Sequence, residues 1–181
     1  MVLVGVAAFL GVHFLAGSGS DQVVSHPTVT TSPAPGGQAV TTQQALQQII
    51  QLEKATISRG QQGPVQGQKP SFVDEAVAFR LLRPSEGSSI ELAQPTTRRR
   101  FALWLWRGFG AFLPRSSASV SVFDLSALTL EEQQAVEGLA EAGVVQLPED
   151  HMFRGDRQLT PAEETALLTR VKRLVAGLSP T

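Results

Sequence analysis

Three arginines in succession, Arg98-Arg99-Arg100, carry the strongest chemical signal in this sequence. They follow Thr97, a residue type that opens helices by accepting a hydrogen bond from a first-turn amide. A guanidinium in the first turn of a helix opposes the macrodipole, each by roughly 0.3–1 kcal/mol. Three together make sense where an anion recovers more than that. Thr97, Arg98, Arg99 and Arg100 are therefore the candidate anion-binding residues. The anion could be a polymer carboxylate, a lipid phosphate or an acidic segment of the same chain. The plain alternative is a solvated charge run ahead of an apolar helix.

Other reactive residues are sparse. His13, His26 and His151 are scattered, and Asp150, His151 and Asp156 fall in one polar turn segment, where a solvated histidine is the expected outcome. No glycine-rich phosphate loop, H-E-x-x-H or G-x-S-x-G occurs. The chain has no cysteine. That removes disulfides, thiol catalysis, cysteine-ligated metals, thioether haem or bilin attachment and lipoprotein-type acylation. The reading is a non-enzyme with no catalytic, cofactor-binding or metal-ligating residues.

The 181 residues, 42% hydrophobic and 17% charged, supply enough apolar material for one domain-sized core. A net charge of −1 argues against a nucleic-acid partner. That small value conceals a partition: residues 69–115 carry +4 and residues 116–181 carry −5. Adjacent segments of opposite sign favour docking of one on the other, or of the basic one on an external anion.

The elements that must hold the arginines can be read in order. Residues 1–17 are apolar apart from His13. A helix over Met1–Ala16 would be about 24 Å long, short of a ~30 Å hydrocarbon core. They read as a signal peptide or a membrane anchor, with the remainder of the chain exported. Ala16 and Ser18 fit a cleavage site, although no Lys or Arg precedes Lys54. Residues 18–41 and 59–70, rich in Ser, Thr, Pro, Gly and Gln, read as linkers. Between them residues 42–58 form an amphipathic helix, with Leu46, Ile49, Ile50 and Ile57 on one side. Phe72 and Asp74 precede a short helix expected over Glu75 to Leu82. The segment from Phe101 to Phe112 is apolar all round except for Arg107. It is either a central packed helix or an interfacial one, in which case Trp104, Trp106 and Arg107 form a docking surface. Residues 118–123 alternate and suggest a short extended segment.

The C-terminal third holds two capping boxes, Thr129-Leu130-Glu131-Glu132 and Thr160-Pro161-Ala162-Glu163, with Pro161 at N1. The first opens a helix carrying Val136, Leu139 and Ala140, stopped by Gly143. The second opens one with Leu167, Val171, Leu174, Val175 and Leu178 on a single face.

Phe123-Asp124, AVEGLAEAGVV (135–145), Asp150, Phe153-Arg154 and Leu159-Thr160 through Leu168 together resemble an S-layer homology repeat. The wording FRGDRQLT resembles the version found in cyanobacterial envelope proteins. Phe72, Asp74 and Thr97-Arg98-Arg99-Arg100-Phe101-Ala102 are similar to a second, shortened copy, and the helix opening at Thr41-Thr42 stands as a degenerate third. The resemblance implies a mainly α fold, a small bundle of helix–loop–helix repeats over 71–115 and 116–178, which the family arranges as three around a pseudo-threefold axis. It also implies non-catalytic binding of an anionic cell-wall polymer or peptidoglycan-linked glycan, tethering membrane to wall, with Arg98 in the family's main anion-contact position. That position is Pro161 in the last copy, so the contact is lost there. The alternative is a structural subunit of a membrane protein complex, whose degenerate repeats dock on protein or bilayer.

Overall fold

The structure, a computed structural model, describes residues 38–56, 70–116 and 119–177. The expected leader or anchor over 1–17, nearly all of the 18–41 linker, residues 57–69 and Leu178 lie outside the described residues. The architecture is mainly helical. Among the described residues there are six α-helices: α1 (Thr42–Thr56), α2 (Phe72–Ala78), α3 (Pro84–Gly87), α4 (Arg98–Phe109), α5 (Leu130–Glu141) and α6 (Pro161–Gly177). Within those residues no helix is long and apolar enough to cross a membrane.

Each long helix forms where a cap meets a periodic apolar face. In α1 Thr42, Ala45, Leu46, Ile49 and Ile50 are buried, a spacing that lines one side. Thr41 caps it through Gln44, whose Oε1 accepts from the Thr41 N–H at 3.0 Å and whose own N–H donates to Thr41 Oγ1 at 3.3 Å. The capping boxes expected at Thr129 and Thr160 are both formed, through Glu132 and Glu163. Of the face expected on α6, Val171 and Val175 are buried and Leu167 and Leu174 are partly buried.

The helix after Phe72 differs from expectation. It starts three residues earlier, because Ser71 and Asp74 form a capping box of their own, and it ends at Ala78. Leu81 and Leu82 are not helical; both of their N–H groups donate back to Ala76 O, with Arg80 between at φ 60°. The end of α5 repeats this pattern: Val144 and Val145 donate to Leu139 O, and Gly143 takes φ 74°. Leu81, Leu82, Val144 and Val145 are all turned into the interior. Residues 119–122 form no ladder; the nearest approach to one is the Phe123 N–H donating to His151 O at 3.1 Å.

Helix α4 is the centre of the packing. Phe101, Ala102, Leu103, Trp104, Leu105, Gly108 and Phe109 are buried, α5 lies along it, and α1 contacts both α4 and α6. The core that includes Phe101 and Leu105 also takes in Leu46, Leu139, Val171 and Val175. The choice left open by the sequence therefore falls to the packed central helix.

A three-membered ring of backbone hydrogen bonds ties the helix starts together. Val40 N–H donates to Leu159 O at 3.1 Å, Leu159 N–H to Thr96 O at 3.0 Å, and Thr96 N–H to Val40 O at 2.9 Å. All three residues are buried. Buried amides must find partners, and here each segment supplies the next. The ring residues immediately precede Thr41, Thr97 and Thr160, which head α1, α4 and α6.

A guanidinium cluster at the start of α4

The start of α4 is pinned from outside the helix. Arg98 N–H donates to Arg157 O and Arg99 N–H to Gly155 O, both at 3.0 Å, so two amides without helical partners are satisfied by the loop before α6. That loop is held in turn by Asp124, whose two carboxylate oxygens accept from the Phe153 and Arg154 N–H groups at 2.7 and 2.6 Å. The Phe-Asp element noted in the sequence is thus a loop clamp.

The arginine run divides by direction. The Arg98 guanidinium lies 4.9 Å above the Phe153 ring and 3.7 Å from Glu163, with its side chain only 14% exposed. Burial lowers its pKa, and the Glu163 charge works the other way. At Glu163 burial pushes upward, but hydrogen bonds from Thr160 and the charges of Arg98 and Arg157 outweigh it and hold the carboxyl below its ordinary range. Arg99 Nε lies 3.2 Å from Asp156 and 3.8 Å from Glu132. Arg98 and Arg99 therefore find their anions within the acidic C-terminal segment, the third of the three partners the sequence allowed. Arg100 is exposed and makes no ion pair with any described residue.

Thr97 is the helix start without a reciprocal cap. The third helical position holds Gln44 in α1 and Glu163 in α6, both acceptors, but Arg100 in α4. A guanidinium accepts nothing. Thr97 makes no side-chain cap, and its Oγ1 is buried without a partner. A missing cap of this kind costs about 1 kcal/mol.

The expected docking surface is corrected by burial. Trp104 is 3% exposed and belongs to the core. Trp106 is half-buried against Gly138. Arg107 spends all five of its N–H groups internally, on Glu86 Oε2 at 2.7 Å, Glu86 Oε1 at 3.0 Å, Glu131 Oε1 at 2.9 Å, Glu131 Oε2 at 3.0 Å and Leu81 O at 3.0 Å. Its polarity on an otherwise apolar helix marks an internal ion-pair hub, closed by Arg83 on Glu131 at 2.7 Å.

Beside this hub, α3, α4 and the start of α5 enclose a cleft of about 500 Å³. Arg83 and Arg100 line it, with Glu131, Glu132, Leu103 and Leu130 among the other walls. Sequence reading missed Arg83, Glu86 and Glu131 because nothing local links residues so far apart in the chain. The turn residues Asp150, His151 and Asp156 do not converge. Asp150 accepts from Met152 N–H, His151 Nδ1 is 3.2 Å from Ser121 O, and Asp156 faces Arg99. Among the described residues no group of three or more His, Asp or Glu could hold a metal ion. Comparison of the chain with protein-family models, with curated proteins and with solved structures finds no match in any of the three.

Proposed function

We propose that this chain is a non-catalytic envelope protein whose described region is a degenerate S-layer homology module of three repeats. In this reading it binds an anionic cell-wall polysaccharide, and residues 1–17 direct its export or tether it to the membrane. The observation that carries the reading is the ring of hydrogen bonds through Val40, Thr96 and Leu159. Three equivalent donors and acceptors, each one residue ahead of a helix-opening threonine, are what a pseudo-threefold array of related hairpins would require. The matching turns after α2 and α5 support the same reading.

The test is co-sedimentation of the full chain with purified wall sacculi at low and high salt. Retention that falls as salt rises is expected, since exposed guanidinium–carboxylate attraction is screened. No retention at low salt would overturn the reading.

A second reading is favoured by one specific observation. Arg98 and Arg99 are engaged by Glu163, Asp156 and Glu132, so the residue in the family's main anion-contact position is already neutralised. The repeats would then serve as a structural subunit of a membrane protein complex. Co-purification with such an assembly in detergent, free of wall material, would choose it.

A further inference from the structure

We infer that the cleft between α3, α4 and the start of α5 is a binding site for an acidic saccharide, with Arg100 as its carboxylate contact. The inference rests on the polysaccharide-binding reading and relocates the contact from Arg98, two residues along the helix, to a different cavity. Arg100 is the exposed member of the run, and among the described residues it has no ion-pair partner. Its position carries a structural penalty that Gln44 and Glu163 avoid in the sister helices, since it leaves the buried Thr97 hydroxyl without a partner. Positions that break a local rule obeyed elsewhere in the same fold are where functional or strained sites are expected.

The cleft has the chemistry for this ligand class. Its volume of about 500 Å³ falls in the range of small-ligand sites. Arg100 offers a planar donor pair to a carboxylate. Arg83 stands on the same cleft with its side chain 62% exposed and its guanidinium paired with Glu131. Leu103 and Leu130 give the hydrocarbon contact that a pyranose face needs, while the Glu131 and Glu132 carboxylates are engaged by Arg107, Arg83 and Thr129. Arg107 stays out of the exchange, since its donors are all occupied; it fixes the Glu86 and Glu131 walls.

The experiment titrates the full chain with digalacturonate and, as the uncharged comparison, cellobiose, by calorimetry. Saturable binding of digalacturonate alone is expected, weakened at least tenfold in Arg100→Ala and unchanged in Arg115→Ala. Arg100→Glu restores an acceptor behind Thr97, so it should lose binding while its thermal midpoint rises, which separates lost contact from lost fold. Digalacturonate binding that survives Arg100→Ala, or no saturable binding by the wild-type chain, overturns the inference. Sacculus retention without digalacturonate binding removes this cleft and leaves the wall-binding reading standing. Digalacturonate binding lost in Arg100→Ala, without sacculus retention, supports the cleft and removes the wall.

Discussion

Gly138 on α5 lies against the indole of Trp106 on α4, so closely that a Cβ at position 138 would stand 2.4 Å from the ring. This contact sets how near the two most extensively packed helices approach. Helix propensity alone would favour alanine at position 138 by about 1 kcal/mol. Overpacking against an indole held in place works the other way by about 1–3 kcal/mol. Gly138→Ala is therefore expected to lower stability in urea unfolding. In a Trp106→Leu background the same change should become neutral or stabilising. Equal effects in both backgrounds would show that the indole is not what excludes the methyl group.

Local signals explain what the sequence disclosed. The caps at Thr129 and Thr160, the stop at Gly143 and the apolar faces of α1 and α5 all lie within a few residues of the features they specify. The helix after Phe72 starts at a cap of the same local kind, Ser71-x-x-Asp74, while Leu81 and Leu82 are buried in the turn beyond its end. The candidate site was legible as a run of charge, but its direction was not. Whether Arg98, Arg99 or Arg100 faces solvent depends on Glu163, Asp156 and Phe153, all more than fifty positions away. Trp104 and Arg107 misled for a related reason: burial of a tryptophan and saturation of a guanidinium are decided by partners that no periodicity reveals.

The Arg107 hub makes the fold sensitive to acid. Arg107 hydrogen bonds hold the Glu131 carboxyl below the usual range; at Glu86 burial pushes upward and is outweighed by Arg107 and Arg83. Carboxyls depressed in the folded state contribute stability above their unfolded value, near 4.3, and lose it as pH falls through the folded one. Arg107→Met leaves both carboxylates without their main partner. The expected loss at pH 7 is roughly 1–3 kcal/mol, reduced from that of a fully buried pair because Glu86 and Glu131 remain over a third exposed. The difference between wild type and variant should shrink below pH 4. A constant difference from pH 7 to pH 3 would remove the carboxylates from the account.

Glu53 works in the opposite sense. Burial raises its carboxyl to about 7, and its Oε2 is buried without a partner beside Gly108. Arg80 and Arg107 line the same cavity, and the neighbouring Lys54 is paired with Glu75. Because the folded value is the higher one, the stability associated with the protonated group is complete below about 4.5 and declines as pH rises through 7. Glu53→Gln should remove that decline. At pH 8 the variant is expected to be more stable by on the order of 1 kcal/mol, a figure reduced for the group's partial exposure, with little difference at pH 4.5. Parallel stability curves for the two proteins would contradict this.

The hydrogen-bonded ring supplies the cleanest test of how the three segments meet. Val40 and Leu159 present hydrocarbon to the interior, whereas the equivalent Thr96 is fully buried and its Oγ1 has no partner. A hydroxyl desolvated without a hydrogen bond costs about 1–3 kcal/mol on protein mutational scales. Valine has nearly the same shape, retains the backbone N–H that donates to Val40 O, and removes the orphaned oxygen. Thr96→Val is therefore expected to stabilise the protein by about 1 kcal/mol, read as a higher urea midpoint with an unchanged slope. Thr96→Ser keeps the hydroxyl and loses a methyl, so it should destabilise. If valine destabilised as much as serine, the Thr96 hydroxyl would have to be bonded after all, and the ring would be closed by side chains as well as by backbone.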